Sequence, residues 1–138
     1  MHTLDDLIAA NCDREGPLLP ILHRVQAAFG HISEVSIFEI ASALNLTRAE
    51  VHGVVSFYHD FKTLPDARPV IKLCRAEACK ARGVETMVSE AEATAGSRVK
   101  IETVYCLGLC SVGPAAMVGN QVHARLTPAK LSALVAQL

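Results

Sequence analysis

The 138 residues carry 13 Lys+Arg against 14 Asp+Glu and are 51% hydrophobic, which suits one ordinary globular domain or two small ones. That balance provides no basic field for nucleic acid and no polybasic patch for direct membrane contact, and no apolar run is long enough to span a bilayer. The opening MHTLDDLIAANCDREG lacks a charged start followed by an apolar run and a cleavage site, so a cytoplasmic chain is expected, with its five cysteines kept as thiols for metal binding or redox work.

In chain order, the first half reads as helical. Gly16-Pro17 opens a segment in which Leu18, Leu22, Val25 and Phe29 recur at helical spacing until Gly30 stops it, and Pro20 fits its first turn. From Ser33 to Leu44, Val35, Ile37, Phe38, Ile40, Ala41 and Leu44 form a broad apolar stripe. Thr47 with Glu50 makes a capping box for a helix expected to run through VHGVVSFYHDF. Residues 1–67 are therefore expected to form a small bundle of three or four short helices.

The turn-rich stretch Leu64 to Pro69 breaks this pattern, and residues 68–138 differ in kind. Val70-Ile71-Lys72-Leu73 reads as a strand ending at Cys74. Glu77 to Ala95 permits a helix, weakened at Gly83 and stopped by Gly96. A second strand, Val99 to Val104, runs into Cys106. Ala115 to Val118, Gly119-Asn120 and Gln121 to His123 read as a hairpin, and Thr127-Pro128 caps a last helix through Leu138. The order implies an α+β fold; a thioredoxin-like arrangement is compatible with it, as are other small α+β folds.

Four cysteines stand as Cys74-x4-Cys79 and Cys106-x3-Cys110, each pair directly after an expected strand. Two loops at one sheet edge then converge on a 2Fe-2S cluster, which takes two thiolates per iron. Gly108 and Gly113 sit where backbone must approach an anionic group without a Cβ in the way, and Lys72, Arg75, Lys80 and Arg82 are close in sequence. Zinc knuckles present C-x2-C, which neither spacing matches. A thiol-disulfide enzyme calls for C-x-x-C at a helix start, and the plant-type ferredoxin pattern needs a third cysteine where Arg82 stands.

At Ile71-Lys72-Leu73-Cys74-Arg75-Ala76-Glu77-Ala78-Cys79 and at VYCLGLCSVGPAAMV (104–118), nearly the whole chain resembles the family of thioredoxin-like 2Fe-2S subunits. These belong to NADH:quinone oxidoreductase (its 24 kDa subunit), NAD-linked hydrogenases and NAD-dependent formate dehydrogenases. The wording is most similar to the gamma subunit of the soluble molybdenum formate dehydrogenase, since Ala78 stands where complex I subunits tend to carry Pro. The resemblance implies a helical bundle followed by a thioredoxin-like 2Fe-2S domain, with Cys74, Cys79, Cys106 and Cys110 as the iron ligands. It also implies a flavin partner subunit that carries FMN and binds NAD(H), a separate molybdenum catalytic subunit, and no catalytic residue on this chain.

Other residues carry two readings each. The aromatic-rich stretch Gly53 to Phe61 suits bundle packing or a face for the flavin subunit. His52 and His59, seven apart, could share a helical face, though no acidic partner is evident. Cys12 lies outside the pairs and reads as an unligated thiol. Glu77 reads as a solvated loop charge or as a carboxylate that lowers the cluster potential.

Overall fold

The computed structural model describes residues 3–138, which divide into two compact units, the first ending at Ala67 and the second Arg68–Leu138. The first unit holds α1 (Leu4–Ala9), α2 (Leu18–Phe29), α3 (Glu34–Ala43) and α4 (Arg48–Phe57). Its core is Leu7, Ile8, Ile21, Leu22, Val25, Ile32, Ile37, Ile40, Val51, Val55 and Phe61. α1 begins on a capping box, in which Thr3 accepts from the Asp6 N–H and Asp6 accepts from the Thr3 N–H. Gly30, at φ 79, closes α2 with a left-handed cap that other residues adopt only at a cost.

α4 also starts on its expected box, the Thr47 N–H donating to Glu50 Oε2 at 2.7 Å and the Glu50 N–H to Thr47 Oγ1 at 3.2 Å. It ends four residues earlier than its pattern implies. Tyr58 turns to extended backbone (φ −90, ψ 106), because the next residues are claimed by α2. The Gln26 side chain donates to the Asp60 carbonyl at 2.6 Å and accepts from the Lys62 N–H at 2.7 Å. This folds Phe61 into the core beside His23, ring centroids 5.0 Å apart.

The second unit runs β1 (Val70–Cys74), α5 (Glu77–Ala81), α6 (Glu85–Ala95), β2 (Lys100–Val104), a 3-10 turn (Cys110–Val112), β3 (Ala116–Val118), β4 (Gln121–His123) and α7 (Pro128–Ala136). It is thus an α+β unit. Its sheet has the order β2-β1-β3-β4, with β1 and β2 parallel and the β1–β3 and β3–β4 pairs antiparallel. The single helix expected over 77–95 is two, since Gly83 at φ 89 takes the chain out of helix between them. α6 packs on α7 and places Met87, Ala91 and Ala95 with Leu131 and Val135 in the core, where Ile71, Leu73 and Ala116 of the sheet also lie. Among the described residues no helix is long and apolar enough to cross a membrane.

Candidate metal centre

Strand register decides where the cysteines go. The parallel pairing sets Cys74 opposite Val104, so β1 delivers Cys74 and β2 delivers Cys106 to the same end of the sheet. The antiparallel pairing sets Leu73 opposite Ala116, which brings the segment before β3 to that end too. There the Cys74 N–H donates to the Ala115 carbonyl and the Arg75 N–H to the Val104 carbonyl, both at 2.9 Å. Cys79 follows on α5, and Cys110 opens the 3-10 turn that packs against α5.

The four predicted ligands meet. Cys106 Sγ and Cys110 Sγ are 3.5 Å apart, far beyond a disulfide bond and close to the roughly 3.7 Å between two thiolates on one tetrahedral metal. Cys74 and Cys79 are also in side-chain contact, and Cys110 lies near enough to both for its charge to act on theirs. Among the described residues no three His, Cys, Asp or Glu side chains converge on a single-ion point; the sulfurs come as two pairs, Cys74 with Cys79 and Cys106 with Cys110. Cys74 and Cys79 are each 2% exposed, whereas Cys106 and Cys110 open to solvent.

Backbone N–H groups ring these sulfurs. Cys106 adopts φ 85 and Gly108 φ 75, a left-handed kink at a non-glycine residue that costs about 1–3 kcal/mol. The kink aims the Cys106 and Leu107 N–H groups at Cys74, and the Gly108 N–H donates to Cys106 Sγ at 3.3 Å. Burial pushes the Cys74 thiol up, but the N–H groups of Ala76 and Cys106, the Cys79 thiol and the Leu107 N–H outweigh it and hold it below the usual thiol value. Burial and then the Cys74 thiol push Cys79 up, against the Ala115 N–H. Cys106, through its hydrogen bond and its charge, raises Cys110. Such a nest of donors suits an anionic sulfur-rich group.

Gly113 closes the ring. A Cβ built on it would meet Cys79 Sγ at 3.1 Å and Arg82 Cδ at 3.4 Å, so the loop lies against the sulfur only because the side chain is missing. The expectation for this glycine rested on its place beside the second pair, and the contact it serves is with the first.

The sequence profile of the thioredoxin-like [2Fe-2S] ferredoxin family matches residues 4–138. The chain belongs to that family. The family is a 2Fe-2S one, and four thiols in two pairs at one end of the sheet, ringed by N–H donors and a glycine cradle, fit that group. The HndA chain of the NADP-reducing hydrogenase of Solidesulfovibrio fructosivorans is 32% identical over 90% of this chain and 78% of its own length. A subunit of the NADH-quinone oxidoreductase of Rhizobium meliloti is 32% identical over 89% and 79%. Among solved structures, an air-oxidised NAD+-reducing [NiFe]-hydrogenase superposes with a TM-score of 0.73 at 26% identity, over 87% of this chain and 22% of the hydrogenase chain. The present family member thus corresponds to only a part of that much longer chain.

The other residues singled out in the sequence fall elsewhere. His52 lies on α4 and His59 beyond its end, so the two share no helical face. Cys12 is a free thiol that contacts the Ala9 carbonyl at 3.4 Å. The Glu77 side chain is 96% exposed and lies 4.0 Å from Lys80, which is the solvated reading. Arg75 is held by Glu85 in a two-pronged pair, Nε to Oε1 at 2.8 Å and Nη2 to Oε2 at 2.5 Å.

Proposed function

We propose that Cys74, Cys79, Cys106 and Cys110 hold one 2Fe-2S cluster, and that the chain exchanges single electrons with the FMN of an NAD(H)-binding partner subunit inside a larger oxidoreductase complex. The observation that carries this reading is the pairing of the sulfurs at one sheet end, a buried pair and an exposed pair, the latter with its Sγ atoms 3.5 Å apart. When bound, the cluster supplies a one-electron couple. The chain does the rest. β1 and β2 fix the two loops at one sheet end, the N–H groups of Ala76, Cys106, Leu107, Gly108 and Ala115 stabilise negative charge on sulfur, and the burial of Cys74 and Cys79 keeps water off one side. The exposed Cys106 and Cys110 leave the other side open to an electron partner.

The relatives named above are subunits of a hydrogenase and of an NADH-quinone oxidoreductase, which supports a place in an NAD-linked complex. Within that group we infer the gamma subunit of a soluble, NAD-dependent formate dehydrogenase, because Ala78 precedes the second cysteine and the wording of both cysteine loops is most similar there. Formate oxidation then falls to a molybdenum subunit and hydride transfer to the flavin subunit, and no residue of this chain touches a substrate. A hydrogenase or quinone-reductase parent is the second reading, favoured by the names of the relatives. A different class of function, a zinc-stabilised interaction module, is left without support by family membership, and five free thiols suit the reducing cytoplasm. Purification of the intact complex tests the assignment. Molybdenum and FMN should copurify, and formate should bleach the visible absorption of the cluster; nickel without molybdenum, or bleaching by hydrogen and not by formate, contradicts the formate dehydrogenase assignment.

A further inference from the structure

Arg82 differs from the two cations that precede it around the first cysteine pair. Arg75 is neutralised by Glu85, and Lys80 faces Glu77. The Arg82 N–H closes α5 on the Ala78 carbonyl, while its guanidinium makes no hydrogen bond or ion pair among the described residues. Its stem nevertheless reaches the site, since the point at which a Gly113 Cβ would stand is 3.4 Å from Arg82 Cδ and 3.1 Å from Cys79 Sγ. The Arg82 stem therefore passes beside the same glycine that lies against the Cys79 sulfur, which brings an unpaired positive charge to the rim of the site.

We propose that Arg82 is a positioning residue for electron transfer that holds the reduction potential of the cluster up, resting on the cluster reading above. One-electron reduction takes the cluster with its four thiolates from about −2 to about −3 in formal charge, so a nearby cation stabilises the reduced form more than the oxidised. Because Arg82 is exposed, its field passes partly through water and is screened by salt.

The experiment is an EPR-monitored redox titration of the wild-type chain with its cluster, of R82Q and of R82K, in dilute buffer and in 1 M salt, with iron and sulfide measured on each. At a fixed ambient potential R82Q should show about a threefold to tenfold lower ratio of reduced to oxidised cluster, tenfold being 59 mV for a one-electron couple. R82K should restore most of the ratio, and 1 M salt should shrink the difference. An unchanged R82Q potential overturns the proposal, as does a shift that salt leaves intact or that R82K fails to rescue, and as does loss of the cluster in R82Q, which would make the role structural. A wild-type chain that takes up no iron and sulfide instead overturns the cluster reading itself.

Discussion

Gly113 shows how one missing carbon shapes the site. Its backbone is ordinary (φ −65, ψ 173), so alanine there adds no conformational strain, and the effect falls on the Cys79 sulfur, which a Cβ would meet at 3.1 Å, while the Arg82 stem at 3.4 Å is at the edge of ordinary van der Waals contact. We expect G113A to keep its helical circular dichroism and to lose iron per chain or shift its visible spectrum; full loading with an unaltered spectrum would show that Cys79 has room to give. Spacing and the strand before each pair made the four cysteines readable. Their mutual placement was not, because it depends on the register of Cys74 with Val104 and of Leu73 with Ala116, and no local pattern encodes register across a crossover. The left-handed Cys106 was equally hidden, since a cysteine carries no sign of positive φ and only Gly108 two residues on hints at a kink.

Among the elements, the helix with the plainest sequence signal is α4, and its start is testable. Removing the Thr47 hydroxyl in T47A leaves the Glu50 N–H without its acceptor and should destabilise the chain by about 1 kcal/mol in urea unfolding, with no change in the cluster spectrum. Hydrogen bonds from the Thr47 backbone and side chain hold the Glu50 carboxyl below its ordinary value. Its contribution is therefore present above the usual carboxylate range and is lost as pH falls through the lowered value. The T47A difference should shrink in acid, and a difference that grows there would contradict this capping role. The start of α2 and the 115–123 hairpin were legible from Gly, Pro and Asn punctuation. α1 gives little sign of itself although Thr3-x-x-Asp6 spells a box, because six residues are too few for a periodic stripe. The early end of α4 depends on Gln26, far away in sequence. Apolar patterning also overstated the bundle core: Phe38 is 59% exposed and Val35 62%, since a stripe records hydrophobicity and not which side finds a neighbour.

For the whole molecule, the α+β class follows from element order, whereas the thioredoxin-like 2Fe-2S family was legible only through the resemblance of the two cysteine loops, and the family profile spans nearly the full chain. The helical unit has its own core and contributes none of the four cysteines, so the proposed redox chemistry rests on the second unit alone. Everything functional then depends on two loops sharing one pair of irons. The most direct measurement is iron and acid-labile sulfide per chain, with EPR before and after reduction, on the wild type, C12S and single serine variants of Cys74, Cys79, Cys106 and Cys110. The account predicts about two irons and two sulfides in wild type and C12S, with a signal only after reduction, and loss or marked alteration of that signal in each of the four. Stoichiometric zinc without sulfide, or an unaltered cluster in any one of those four variants, would contradict it.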